Sequence, residues 1–248
     1  MKKIITLIVV CACSLSAMAQ MDRKVQNRPY TDLRPFHFGV VVGTHLQDIE
    51  LLNVGPQIIT ADDGTTYESL VTCDQDRWDP GFTVGVLGEY RISQHFQFRV
   101  APAMYFGTRH LTFHNFKSVT PEGEVREQHQ DLKTAYISTA LDLIFAAPRS
   151  NNHRPYLMAG LNPMINLSGK DDDYIKLKRT DLYAEFGMGC DFYLPFFKLR
   201  PELKFMYSIT GALETGRADK IRDKSMLPYL QSVSEGHTKI ITLSFHFE

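Results

Sequence analysis

Apolar and polar residues alternate along several segments of the chain, most clearly in residues 180–194. One set of alternate positions is mostly apolar and consists of Leu182, Ala184, Phe186, Met188, Cys190 and Phe192, whereas the other set holds carboxylates, tyrosine and glycine. Because successive side chains of a β-strand point to opposite faces, this alternation predicts a strand with one apolar and one polar face. A soluble sandwich buries the apolar face, whereas a transmembrane barrel turns it toward lipid and lines its lumen with the polar face.

Eight segments of this kind follow one another along the chain. We predict strands at about residues 36–48, 81–91, 96–113, 133–146, 155–167, 180–194, 199–210 and 237–248. Long and short connections alternate between them, as in bacterial outer-membrane barrels, whereas a lipocalin-like soluble barrel would require an apolar interior. The sequence therefore predicts an all-β fold, an eight-stranded antiparallel transmembrane β-barrel with long extracellular loops and short periplasmic turns.

The sequence divides into three segments. Residues 1–19 combine a lysine-bearing start, a short apolar stretch and a small-residue cleavage site, which predicts a signal peptide that is removed. Residues 20–35 are polar and contain two prolines, so we expect an irregular periplasmic N-terminal segment. Residues 36–248 are expected to form the barrel. The signal peptide and the transmembrane barrel together predict an integral protein of the bacterial outer membrane.

Charge and cysteine content narrow the possible partners. The formal net charge of −1 becomes −3 when Lys2 and Lys3 leave with the signal peptide, and a nucleic-acid partner normally requires a clustered basic face. We therefore expect outer-membrane lipid, and no nucleic acid, around the protein. Cys73 is placed in an outer loop and Cys190 on the lipid-facing wall near the opposite rim, so both are predicted to be free thiols.

Aromatic residues concentrate at the rim where the short turns and both ends of the barrel lie. Amphipathic rings favour the headgroup layer of a membrane, although aromatic residues also have a high β-propensity of their own. Their concentration at one rim favours a girdle. The predicted periplasmic girdle consists of Phe36, Phe38, Tyr90, Phe96, Tyr156, Phe192, Phe197, Phe245 and Phe247.

The polar positions of the predicted strands carry many charges. An eight-stranded barrel encloses a space that side chains just fill, and charges in such a space must pair. The predicted structural ion-pair network consists of Glu89, Arg99, Asp142, Glu185, Asp191, Arg200, Glu202 and Lys204. These residues predict a closed barrel without an aqueous channel.

The sequence gives little indication of a catalytic or metal-binding site in the lumen. Paired carboxylates such as Glu185 and Glu202 can support acid–base catalysis, but basic residues on adjacent strands favour structural ion pairs. The nine histidines show no zinc-ligand spacing, and His37 is expected to hydrogen-bond within the lumen. We therefore predict no catalytic residues, no cofactor, no metal and no small-molecule substrate.

The first and seventh predicted strands contain two distinctive segments. They are residues 32–39 (DLRPFHFG) and residues 200–205 (RPELKF), the second followed by Ser208 and Gly211. Both resemble segments of the PorT family of outer-membrane barrels from Bacteroidota. The resemblance implies a role in the type IX secretion system, which exports cargo with a C-terminal signal domain and supports gliding in motile species. One departure is Glu248, because outer-membrane barrels usually end on an aromatic residue.

Two functions are compatible with these features, and a third is disfavoured. The leading hypothesis is a non-enzymatic component of type IX secretion that acts by contacts with other components of that system and not as a pore. The alternative is a generic small outer-membrane barrel with an adhesive or envelope-stabilising role. An outer-membrane enzyme would need a polar catalytic cluster on the lipid-facing wall near the outer rim, where residues such as Thr108 and Ile209 supply none.

Overall fold

The computed structural model describes residues 27–60, 64–119, 125–169, 173–214 and 226–248. The predicted signal peptide and residues 20–26 lie outside these ranges. The elements within them are β1 (Phe36–Asn53), β2 (Gln57–Thr60), β3 (Thr66–Ser69), β4 (Val71–Asp74), β5 (Asp79–Arg91), β6 (Phe96–Val119), β7 (Val125–Ala146), β8 (His153–Asn166), β9 (Thr180–Tyr193), β10 (Lys198–Ser208), β11 (Val233–Phe247), a 3₁₀-helix at Thr31–Leu33 and a short helix α1 at Leu227–Leu230. No helix in the described parts of the chain has the length and apolar character needed to cross a bilayer.

Eight of these strands close into a barrel. Strands β1 and β5 to β11 each pair antiparallel with the next along the chain, and β1 pairs with β11 to complete the ring. Strand β4 adds to the extracellular end of β6, beyond the point where β5 ends, while β2 and β3 form a separate two-stranded sheet. The predicted eight-stranded antiparallel barrel is confirmed.

The orientation of the two strand faces is that of a membrane barrel. On β9, Phe186 points outward and is 50% exposed, whereas the neighbouring Glu185 points inward and is 4% exposed. The same alternation runs along β5, where Phe82, Val84 and Val86 are exposed and Thr83 is buried. A lipocalin-like interior would show the opposite pattern, so that alternative is excluded.

The strands near the extracellular end are longer than predicted. The β6–β7 hairpin keeps a regular register from Phe96 opposite Phe145 to Asn115 opposite Arg126, although residues 114–132 were expected to form a loop. A membrane-spanning strand needs about 9–11 residues, whereas β6 has 24. The excess projects beyond the membrane, where no lipid selects apolar side chains, so the apolar alternation stops while the backbone pairing continues. The expected first loop, residues 49–79, likewise contains the end of β1 and three short strands.

An apolar cluster fills the extracellular end of the barrel. Its members come from barrel strands and from the connections that fold inward over them, and include Ile49, Val71, Cys73, Leu111, Phe113, Leu132, Ile175, Leu177, Leu213 and Val233. Cys73 lies in the outer connection, as predicted, but there it forms part of the short strand β4 and is fully buried. Both Cys73 and Cys190 are free thiols, as predicted.

Candidate functional site

Strand β10 supplies the cations at the centre of the periplasmic half of the lumen. Its first four inward positions are Lys198, Arg200, Glu202 and Lys204, and its outward positions include Leu199 and Leu203. This arrangement follows from the two-residue period of a strand, which directs every second side chain to the same face. All four inward side chains are almost completely buried.

Two arginines form the lower part of this ionic layer. Arg99 on β6 approaches Glu202 at 2.6 Å and Glu89 at 3.3 Å. Arg200 approaches the same Glu89 at 2.5 Å and Asp191 on β9 at 2.5 Å. Glu89 therefore bridges two guanidinium groups from opposite sides of the barrel, and the strands β5, β6, β9 and β10 are tied together across the lumen.

Lys204 organises the next level of the same layer. Its ammonium group lies 3.0 Å from Glu185, 3.7 Å from Asp142 and 3.9 Å from Glu202. Asn162 on β8 donates a hydrogen bond of 3.0 Å to the second oxygen of Glu185. The structure thus brings together all eight charged residues of the predicted network, each of them buried.

Tyr156 belongs to this layer and not to the aromatic girdle, which corrects the prediction. It is 3% exposed, its hydroxyl donates to Glu202 at 2.7 Å, and Arg200 lies 5.1 Å from its ring centroid. Position near a rim suggested the girdle, but Leu157 is the outward residue, so the two-residue period directs Tyr156 inward. Opposite it stands Gly189, where a Cβ would collide with the tyrosine ring.

Glu248 closes the ionic layer at the periplasmic end, a role that the sequence did not reveal. Its carboxylate pairs with Lys198 and His37, and its backbone exchanges hydrogen bonds of 2.9 and 3.0 Å with Lys198. Burial opposes ionisation of this carboxyl, but the hydrogen bond from His37 and the charges of Lys198 and Arg200 outweigh it and hold the pKa of Glu248 well below its usual range. His37 lies in the lumen, as expected.

Residues 27–35, here called the periplasmic lid, lie across the mouth below this layer. Asp32 accepts a hydrogen bond of 2.5 Å from the Tyr193 hydroxyl and lies 3.5 Å from Arg149 and 3.8 Å from Arg154. The Arg149 guanidinium in turn stacks 3.5 Å from the centroid of the Tyr193 ring. The carboxylate of Asp32 is therefore held by three side chains, from the β7–β8 turn, the start of β8 and the end of β9.

Hydrogen bonds that each involve a backbone group fix the start of the lid. The backbone N–H of Asn27 donates to the Asn152 side chain at 2.9 Å, and the side-chain amide of Asn27 donates to the backbone carbonyl of Tyr193 at 2.9 Å. Arg28 donates to the Glu248 carbonyl at 2.9 Å and adopts a φ of 47°, which a non-glycine residue takes only when its surroundings impose it. The lid thus joins the N-terminal side of the barrel to the β7–β8 turn and to the end of β11.

Comparison with known protein families places this architecture. Residues 18–214 match the family described as outer membrane protein beta-barrel domain. The chain belongs to this family. It is a transmembrane β-barrel of the bacterial outer membrane, and its outward apolar face contacts lipid.

Solved structures of similar fold have low sequence identity to the chain. OprG from Pseudomonas aeruginosa is 12% identical, with 86% of this chain and 94% of that one covered and a TM-score of 0.47. Neisserial surface protein A is 13% identical, with 86% and 98% covered and a TM-score of 0.40. The outer membrane protein AlkL is 14% identical, with 93% and 94% covered and a TM-score of 0.33. No curated protein matches the chain.

The outer wall at the periplasmic rim carries the remaining aromatic residues of the predicted girdle. All eight are exposed on the outward face: Phe36, Phe38, Tyr90, Phe96, Phe192, Phe197, Phe245 and Phe247. Several pack as pairs, with ring centroids 5.1 Å apart for Phe36 and Tyr90 and 6.0 Å apart for Phe197 and Phe247. Their location at the headgroup layer stays a prediction.

The described residues offer few means for chemistry. Within the described ranges, no group of three or more His, Cys, Asp or Glu side chains is arranged to hold a metal ion. The carboxylates of the lumen that sequence reasoning paired for acid–base work, Glu185 and Glu202, are each engaged by a cation and a neutral donor. The geometry is that of a charge-paired filling.

Proposed function

We propose that the protein is a non-enzymatic, closed outer-membrane barrel that acts through its extracellular surface, in adhesion or in stabilisation of the cell envelope. The observation that carries this proposal is the filled lumen. An ionic layer occupies its periplasmic half, the apolar cluster occupies its extracellular end, and the lid crosses the periplasmic mouth.

The filled lumen argues against conduction for an energetic reason. A continuous water path would require the pairs around Glu89, Glu202 and Lys204 to separate, and breaking a buried pair costs about 3–5 kcal/mol. Purified protein in planar bilayers is therefore expected to give no large, stable conductance steps. Such steps would overturn the proposal.

The extracellular part offers a surface for contacts. The β6–β7 hairpin, the β2–β3 sheet and the segment before β5 carry exposed apolar and aromatic side chains, among them Ile58, Tyr67, Trp78 and Phe116. Aromatic side chains are enriched at protein interfaces, which supports a binding role for this end.

The surface role is tested by shortening the hairpin. Residues 116–125 are replaced by an Asn-Gly turn, which preserves the pairing of Asn115 with Arg126 and suits a two-residue hairpin. The barrel is expected to fold and insert while adhesion or resistance to envelope stress is lost. A control replaces the same residues by glycine and serine without changing the length. It shows whether the side chains of the hairpin tip or the length of the hairpin is needed. Unchanged adhesion and envelope stability in both variants would contradict the surface role.

A second candidate is the role in type IX secretion, which rests on residues 32–39 and 200–205. Both segments meet the periplasmic end: Asp32 lies in the lid and Arg200 in the ionic layer next to Glu248. A periplasmic or membrane-embedded component of the secretion system would contact this end. Deleting the gene should trap signal-domain cargo in the periplasm, and the hairpin-shortened variant should restore export. Unchanged secretion after deletion would refute this role.

Export of the protein itself is proposed to use the signal peptide at residues 1–19. The mass of the protein recovered from outer membranes should equal that of a chain starting at Gln20. A mass that includes residues 1–19 would refute cleavage.

A further inference from the structure

One buried arginine of the barrel has no acidic partner among the described residues. Arg109 points inward from β6 near the extracellular rim and is 0% exposed. Its Nη1 donates a long hydrogen bond of 3.4 Å to the Tyr136 hydroxyl, while Nε and Nη2 have no acceptor. By contrast, Arg99, Arg154 and Arg200 each have a carboxylate within 4.0 Å.

A second unpartnered donor lies at the same level. Gln47 on β1 is buried, its carbonyl oxygen accepts from the Thr134 hydroxyl at 3.1 Å, and its Nε2 has no acceptor. Gly107, two positions before Arg109 on the inward face of β6, makes room for this amide, because a Cβ there would collide with Nε2. Three buried nitrogen donors on β1 and β6 therefore face the upper lumen without an acceptor.

The buried carboxylates at this end are engaged by other residues. Asp79 on β5, in register with Gln47, accepts from the His110 N–H at 2.7 Å and contacts the His110 ring at 2.8 Å. Asp181, the carboxylate of β9 at this end, accepts hydrogen bonds from Ser208 at 2.7 Å and Thr210 at 2.6 Å. Tyr136 and Tyr183 place hydroxyl groups, and no carboxylate, beside Arg109. Water could satisfy the hydrogen bonds but not the charge, and an uncompensated buried charge costs several kcal/mol.

We propose that Arg109 and Gln47 bind a small inorganic anion of the halide type within the upper lumen. The unpartnered groups of the site are donors, from a guanidinium and a primary amide, and they lie beside Tyr136 and Tyr183 of the apolar cluster. An enclosed position with few donors suits a monatomic anion better than a bulky organic one. The bound anion neutralises Arg109 and stabilises the extracellular half of the folded barrel, because a ligand that binds only the native state raises its stability.

The test compares chloride with gluconate at equal ionic strength. For the folded protein in detergent, Tm is expected to rise by several degrees as chloride replaces gluconate, and the rise should saturate. Arg109→Gln should abolish the chloride dependence, whereas the matched control Arg91→Gln, at the periplasmic rim, should keep it. A wild-type Tm that does not respond to chloride would overturn the proposal.

A direct measurement covers the case in which Arg109→Gln fails to fold. Crystals of the wild-type protein grown in bromide should show an anomalous scattering peak within hydrogen-bond distance of the Arg109 guanidinium. Density without an anomalous peak at that position would mean that water fills the site, and would refute anion binding.

Discussion

Replacing Glu202 by leucine tests whether the lumen is a dry, paired layer. The Glu202 carboxylate lies 2.6 Å from Arg99 and accepts the Tyr156 hydroxyl at 2.7 Å, with His246 3.7 Å and Lys204 3.9 Å away. Glu202→Leu would leave the buried Arg99 with Glu89 at 3.3 Å and Asp142 at the longer distance of 4.0 Å, together with an unpaired tyrosine hydroxyl.

The magnitude follows from these two losses. Breaking a buried ion pair costs about 3–5 kcal/mol, and leaving the Tyr156 hydroxyl unsatisfied adds about 1–3 kcal/mol. The free energy of unfolding should therefore fall by roughly 4–6 kcal/mol, since relaxation around the leucine recovers part of the sum. Removing both partners, in Glu202→Leu with Arg99→Leu, should cost less than the two single changes together, because replacement of a whole buried pair by apolar residues is often nearly neutral.

The assay is urea unfolding of the barrel in lipid vesicles, followed by the fluorescence of Trp78, the single tryptophan of the chain. The matched control is Glu50→Leu, which removes a carboxylate 2.6 Å from Lys239 on the exposed outer surface and should change stability little. A loss below about 1 kcal/mol for Glu202→Leu would mean that water already solvates these charges. The lumen would then be hydrated and not a dry, closed layer.

Three further predictions concern the lid, the thiols and a glycine. Asp32→Asn should release the lid from Tyr193 and the two arginines, and limited proteolysis in detergent should then cleave the N-terminal segment sooner, whereas equal cleavage rates would show that Asp32 does not hold it. Burial, reinforced by the charges of Asp74 and Asp76, raises the pKa of the Cys73 thiol, so a maleimide should label Cys190 in detergent while Cys73 reacts only after unfolding; rapid labelling of native Cys73 would contradict its burial. Gly189→Ala should displace the Tyr156 ring and destabilise the barrel, with Ala184→Gly on the outer face as a milder control, and a wild-type urea midpoint for Gly189→Ala would refute the close approach.

The two-residue period of the strands predicts most of the fold. It assigned Glu185 to the lumen and Phe186 to the lipid from local sequence alone, because lipid on one side and a packed lumen on the other impose opposite chemistry on adjacent positions. Tyr156 shows that this period outweighs position along the strand. Its nearness to a turn suggests the girdle, but Leu157 is the outward residue and Tyr156 therefore points into the lumen.

Features that depend on contacts between residues far apart in the sequence cannot be predicted from local sequence patterns. In the outer halves of β6 and β7 the outward face is largely polar and buried apolar residues such as Leu111 and Phe113 point inward, so the apolar-outward pattern of the membrane-spanning part is absent, although the backbones pair regularly up to Asn115 and Arg126. The lid depends on contacts between Asn27 and Asn152 and between Arg28 and Glu248, which are 125 and 220 positions apart. Nothing in the local sequence of residues 27–35 specifies such partners.

The two halves of the lumen are stabilised by different forces, and this determines which half can tolerate change. In the periplasmic half, each charge is compensated by a particular partner, so the loss of one residue such as Glu202 leaves others buried and unpaired. In the extracellular half, Leu111, Phe113 and their neighbours contribute non-directional apolar burial, which substitutions of similar volume preserve. The extracellular end can therefore vary in sequence while the barrel stays closed, and such variation is compatible with the proposed surface role.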